Sequence, residues 1–342
     1  MKKRIIAGAV CGLAIAAVTG AIIIKGGQKT ASAEKIETPA PAASAAPAVY
    51  KAPDFYRGLY LTNPSGKKIE TLRKFIENAK RANLNVMVVD AQPAPNGKTS
   101  IPKENVQLML ENGIHPVARV VCFDQGLKRF PIEEEILANR ISVAKSAAEL
   151  GFKEIQFDYV RFNDDGFCAK IPVQTKYEFI ENFLARAKKE LAPYNVKVAA
   201  DVFGRIPLNS GDPIGQRMSG LDKVVDVICP MAYPSHYTWS EKMMADPYYT
   251  VHLTSARAKE RVKQAEIVSY IQAFKMKVKK SGLEYDEYVR QQIKAVHDAQ
   301  IKGYIFWNAA QEYTVPFKVA EDYYSRKGQV QAKAASAKTV TM

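Results

Sequence analysis

Along the middle of the chain, short runs of β-branched and aromatic residues alternate with segments whose apolar positions recur every three to four residues. Eight such runs stand at Gly58–Asn63, Val86–Gln92, His115–Val121, Glu154–Arg161, Lys197–Gly204, Val225–Pro234, Glu266–Gln272 and Gly303–Ala309, starting 28 to 43 residues apart. Several are almost continuously apolar, as expected of parallel strands covered on both faces. Amphipathic helices are predicted between them at Lys67–Arg81, Glu133–Leu150, Lys176–Leu191 and Tyr285–Gln300. Alternating β and α units argue for a parallel sheet. Eight of them within about 250 residues argue for an α/β fold of the closed (β/α)8 TIM-barrel type, forming a single domain over 54–327. A doubly wound open sheet is the runner-up. It would place a glycine-rich turn after the first strand, and Pro64-Ser65-Gly66-Lys67-Lys68 is not of that form.

Both ends of the chain read differently. Lys2-Lys3-Arg4 precede an uncharged run from Ile5 to Ile24, closed by Lys25. Twenty residues at about 1.5 Å each make a helix of about 30 Å, one bilayer core. The basic flank predicts a cytoplasmic N-terminus with the domain outside. Ala31-Ser32-Ala33 also offers a cleavage site, so residues 1–30 are expected to be a membrane anchor or a signal peptide. Residues 31–53, rich in Ala, Pro and Ser, form a linker, and residues 328–342 a disordered tail. The chain is therefore expected to be exported, and either membrane-anchored or secreted.

Charge sharpens this picture. The net charge is +14. Seven Lys/Arg against two Glu give +5 to residues 1–52, two Lys give +2 to the last fifteen, and +7 is left for 53–327. A moderately basic domain favours an anionic wall or lipid surface. No RNP, zinc-finger or helix-turn-helix pattern is present, so a nucleic-acid partner is not expected. Cys11 lies in the N-terminal apolar run. Cys122, Cys168 and Cys229 make an odd set without a CxxC pair, which argues against a disulfide framework or zinc site. His115, His236, His252 and His297 lack metal-ligand spacing, and Asp164-Asp165-Gly166 is a turn rather than a calcium loop. No cofactor is expected, and the domain is read as a monomer.

A parallel barrel gathers its functional residues where the strands end. Those ends carry Asp90, Arg119, Asp158 with Arg161, Asp201, Tyr233 with His236 and Tyr237, and Trp307 with Asn308, followed by Glu312. Aspartates embedded in apolar strands are costly unless paired or used. Each alone has a structural reading as a helix cap or ion-pair partner. Together, beside aromatic rings that can stack on sugars, they favour carbohydrate chemistry, which needs one carboxyl to protonate the leaving oxygen and a second to attack or activate water. Asp158 and Asp201, on adjacent strands, are the expected catalytic pair, with Arg119 and Arg161 expected to pair with the aspartates. Asp90, Arg119, Arg161, Tyr233, His236, Trp307, Asn308 and Glu312 are expected to bind substrate.

The blocks EIQFDYVRF, ADVFG, MAYPSHY and GYIFWNA, in that order, resemble a family of glycoside-hydrolase domains labelled DUF4015. The resemblance covers roughly residues 54–325. It implies a TIM barrel acting on a cell-surface or extracellular polysaccharide. By analogy with barrel glycosidases whose strand four ends in an Asp nucleophile, Asp158 takes that position and Asp201 the acid/base position, with Glu312 as fallback. Barrel glycosidases often have Glu where Asp201 stands, and the DxxDxDxE pattern of chitinase-like barrels is absent. A non-catalytic, membrane-tethered carbohydrate-binding barrel is the alternative reading.

Overall fold

The computed structural model of the chain describes residues 50–94 and 97–325. The expected anchor or signal (1–30), all but the last few residues of the linker (31–53) and the tail (328–342) lie outside the described residues. Within them, no helix is long and apolar enough to cross a membrane.

Eight strands, β1 (Tyr56–Leu61), β2 (Val86–Asp90), β3 (His115–Val121), β4 (Glu154–Asp158), β5 (Lys197–Phe203), β6 (Val227–Met231), β7 (Glu266–Gln272) and β8 (Gly303–Trp307), pair in sequence order into a closed barrel. All pairings are parallel, and β8 returns to β1 with Gly58 opposite Ile305. The main outer helices are α1 (Ile69–Arg81), α2 (Lys103–Glu111), α3 (Glu134–Leu150), α4 (Val173–Leu191), α5 (Met218–Val224), α6 (Pro247–Glu260), α7 (Tyr285–Asp298) and α8 (314–325). The fold is the (β/α)8 barrel anticipated from the strand count.

Two apolar cores follow from the alternation of side chains along each strand. The larger lies between sheet and helices, and takes Leu59, Val89, Phe157, Val202 and Phe306. The smaller fills the barrel with Val86, Val88, Val117, Ala199, Val227, Val268 and Ile305. Polar side chains interrupt this inner core at three levels. At the N-terminal end, Glu154 accepts from Tyr56 Oη at 2.9 Å and lies 3.4 Å from His115 Nε2. Midway, Gln156 bonds Tyr270 Oη at 2.7 Å and Cys229 Sγ at 3.0 Å. At the C-terminal end stand Arg119, Asp158 and Asp201, all buried.

The observed elements depart from the expected runs in instructive places. β4 stops at Asp158 instead of Arg161, because Tyr159 adopts φ +53° and turns the chain out of the sheet. β6 ends at Met231, ahead of the turn that Pro234 opens. β1 occupies Tyr56–Leu61 and not Gly58–Asn63, since Asn63 already begins a short helical turn. Helix α6 shows no clear apolar period because its buried face carries hydroxyls: Thr250, Thr254 and Ser255 are all fully buried. They are satisfied by Met243 O at 2.6 Å, Tyr237 Oη at 2.8 Å and Ser269 Oγ at 2.8 Å. A hydrogen-bonded hydroxyl packs inward at little cost, so the hydrophobic pattern underreports this helix.

Closure depends on one glycine. Gly303 has φ +150°, and a Cβ there would stand 2.1 Å from Tyr56 O on the neighbouring strand. Gly303→Ala is expected to destabilise the barrel by about 2–4 kcal/mol, read as a lowered denaturation midpoint.

Candidate active site

Arg119 organises the C-terminal mouth. It projects inward from β3, between Asp90 on β2 and Asp158 on β4. Nη1 pairs with Asp90 Oδ1, while Nε and Nη2 donate to Asp158 Oδ2 at 2.9 and 2.6 Å. The guanidinium also lies 5.5 Å from the Tyr60 ring and 5.4 Å from the Trp307 ring. Burial by itself would depress its pKa, but Asp158 and Asp90 outweigh that and hold it above the usual arginine value. Asp90 takes a second donor, Tyr60 Oη at 2.5 Å, so both of its oxygens are engaged.

Asp158 Oδ1 accepts the backbone N–H of Tyr159 at 2.5 Å. The left-handed turn at Tyr159 aims that N–H back at the carboxylate of the preceding residue. A non-glycine residue held there stores strain, a feature that gathers at functional sites.

Asp201, one strand further on, is 2 % exposed, and its Oδ1 has no hydrogen-bond partner among the described residues. Burial, reinforced by the Asp158 charge, raises its pKa well above the carboxylate range. The two carboxyls lie within hydrogen-bonding reach of each other. The pair is therefore asymmetric, with Asp158 ion-paired and Asp201 protonated. A buried acid beside an ion-paired carboxylate is an arrangement suited to acid–base work.

Above the pair opens a cleft of about 400 Å3, within the range of small-ligand sites. Tyr233, His236 and Trp307 line it, along with Arg119, Arg161, Asp158 and Asp201. His236 is held neutral by burial and by the nearby Lys277, and its Nδ1 lies 3.0 Å from Ser235 Oγ.

Three expected residues stand outside the cleft. Asp90 lies behind Arg119 and is engaged there. Asn308 is tied into the loop after β8, donating to Ala273 O at 2.7 Å and Glu312 O at 3.2 Å and accepting from Ala310 N at 2.9 Å. Glu312 faces a separate cavity beside Phe274 and Lys275. The expected pairing of Arg161 with an aspartate is also not made. Arg161 forms no ion pair among the described residues, and lies against the rings of Phe203 and Tyr159 at 4.7 and 5.6 Å.

The cleft adds residues that the sequence reading passed over: Tyr159, Phe203, Arg205 and Trp239. Trp239 is 60 % exposed at the rim, its ring 5.1 Å from Tyr237. Its rarity was the available signal, since both tryptophans of the chain line this one cleft.

Two outcomes follow from the charge arrangement. Folded Asp201 keeps a proton that the unfolded chain has released above about pH 4, so stability falls as pH rises from there towards the raised value. Thermal midpoints measured across pH are expected to show that slope, at most about 1.4 kcal/mol per pH unit, and Asp201→Asn is expected to remove it. Arg119→Leu strands two carboxylates, and is expected to cost about 3–5 kcal/mol in a denaturant titration.

Solved structures share the barrel, and a family model matches the sequence. Solved structures that share the barrel include an endo-beta-1,4-mannanase from Thermotoga petrophila (13% identity, 80% of this chain and 77% of that one, TM-score 0.57). The spore cortex-lytic enzyme SleL of Bacillus megaterium QM B1551 is another (12%, 80% and 76%, 0.54). A third is a chitinase from Chromobacterium violaceum ATCC 12472 (13%, 78% and 98%, 0.53). At such identities the likeness is one of fold. None of the curated proteins matches this chain. The family model described as "Putative glycosyl hydrolase domain" (DUF4015) matches residues 126–313, more than half of the chain and the stretch that carries Asp158, Arg161, Asp201, Tyr233 and Trp307. The chain belongs to this glycosyl hydrolase domain family.

Proposed function

We propose that the chain is a retaining glycoside hydrolase acting outside the cytoplasm on a cell-surface or extracellular polysaccharide, with Asp158 as nucleophile and Asp201 as general acid and then base. The observation that carries this reading is the asymmetric pair: a buried, protonated carboxyl beside an Arg-paired carboxylate, at the floor of an aromatic-walled cleft. Membership of the glycosyl hydrolase domain family supports the reaction class. The basic N-terminus and apolar run of residues 1–30 support the location and a membrane attachment.

In the first step Asp158 bonds to the anomeric carbon as the glycosidic C–O bond breaks, and the departing oxygen takes the Asp201 proton. In the second, Asp201, now a carboxylate, takes a proton from water, and that water's oxygen displaces Asp158 from the sugar. Arg119 positions Asp158 throughout. The glycosidic oxygen replaces Asp158 as acceptor of the Asp201 proton, so the two carboxyls must part to about 5 Å in the reacting complex. Tyr233, Trp239 and Trp307 offer rings for sugar stacking.

The test is reducing-end release by the full chain from a panel of wall and capsular polysaccharides. Asp158→Asn is expected to lower turnover by about 10³-fold or more while the circular dichroism spectrum is unchanged. NMR of the first-formed product is expected to show a retained anomeric configuration. Equal release by Asp158→Asn would overturn the assignment of the nucleophile. Retention on a polysaccharide with no product released would replace this reading with the non-catalytic binding barrel.

A further inference from the structure

Three guanidiniums line the cleft, and they are not equivalent. Arg119 has two carboxylates. Arg205 holds Asp212 through Nε at 2.7 Å and Nη2 at 3.1 Å. Arg161, 9 % exposed, makes one hydrogen bond among the described residues, from Nη1 to Phe162 O at 3.2 Å. Its Nε is buried without an acceptor. A guanidinium carries five N–H donors, and ring contacts with Phe203 and Tyr159 satisfy its face rather than those donors. Burial, the largest influence, lowers its pKa; Tyr159, Asp164 and Asp158 act to raise it, and Arg205 to lower it. A mostly buried cation with a single carbonyl partner is costly to a folded protein.

The position is nevertheless built. Phe203 stacks within 4.7 Å of Arg161 and 4.8 Å of Arg205. Gly126, in the loop after β3, has φ +87° and packs so closely that a Cβ would lie 2.6 Å from Arg161 Nη1 and 2.9 Å from Asn163 N. The loop backbone and the phenyl ring thus hold the guanidinium beside the cleft, in the same lining as Asp158 and Asp201.

We infer that the β4–β5 side of the cleft is a subsite for an anionic sugar, whose carboxylate or other oxyanion completes the hydrogen bonding of Arg161. This rests on the reading of the cleft as a sugar site and names its substrate class: an acidic polysaccharide, with the charged residue next to the bond that is cut. The planar fork of arginine matches an oxyanion with two parallel hydrogen bonds, and the pairing is strongest where water is excluded. The charge of +7 on residues 53–327 would draw such a polymer towards the domain.

Both tryptophans line the cleft, so intrinsic fluorescence reports binding there without turnover. The full chain is titrated with glucuronate, glucose and inorganic phosphate. Glucuronate is expected to change the emission saturably and glucose to leave it unchanged at equal concentration. R161Q is expected to weaken glucuronate by about tenfold or more, and R161K, a point charge without the fork, to recover part of the loss. Phosphate binding as tightly as glucuronate, through Arg161, would support the oxyanion subsite and assign it to a phosphate-bearing polymer.

Equal responses to glucose and glucuronate, no saturable response to either anion, or an unchanged affinity in R161Q would overturn the inference. Should thermal melts show R161Q unfolded, R161K decides, and wild-type affinity in it would overturn the subsite. The hydrolase reading fails separately. A chain that binds glucuronate through Arg161 yet releases nothing from any polysaccharide keeps the subsite and loses the catalysis.

Discussion

The mouth of this barrel depends on a single shared cation. Arg119 stands between carboxylates from the strands on either side, bonded to Asp90 and Asp158. It gives both carboxylates a cation partner, and removing it would strand them. The arrangement also sets what lies one strand further. Asp201 is raised well above the carboxylate range by its burial first and by the Asp158 charge second, with Arg119 opposing. A line of residues on four consecutive strands thus runs from an anion to a cation, a second anion and a neutral acid.

The same line separates stability from chemistry. Asp90, Asp158, Arg119 and Tyr60 form one network in which the arginine and the phenol supply donors to the two carboxylates. Asp201 and Arg161 do not close in this way. Among the described residues, Asp201 has an oxygen and Arg161 an N–H without a hydrogen-bond partner. Groups left open in an otherwise well-satisfied interior are where a protein gives up stability for binding or reaction. Both face one cleft, which fits the proposal of an acid acting beside an anion-binding guanidinium.

Around this floor the barrel follows the general division of labour in its class. The strands fix the positions of the charged groups, and the loops at their C-terminal ends supply the walls. Tyr159 turns the β4 exit, Gly126 presses the β3 loop onto Arg161, and Trp239 stands at the rim after β6. Barrels at 12–13% identity share the frame.

The sequence by itself determined the barrel and the general location of its site. Strands buried on both faces leave an unbroken apolar run, and a strand-end aspartate within such a run is conspicuous because its burial must be compensated. That is why Asp90, Arg119, Asp158 and Asp201 could be singled out before any coordinates. Two of the four blocks that resemble the family hold Asp158 and Asp201. Only the tertiary structure decided which charges meet. Arg119 took both Asp90 and Asp158, Arg161 took none, and Asn308 and Glu312 turned away into the loop after β8. Those outcomes depend on strand register and on turns such as the left-handed Tyr159, which bring together charged residues 29 and 39 positions apart. Helix α6 was hidden for a related reason. Its inward hydroxyls look polar in sequence, and they become core residues only through partners such as Tyr237 and Ser269, which the fold supplies.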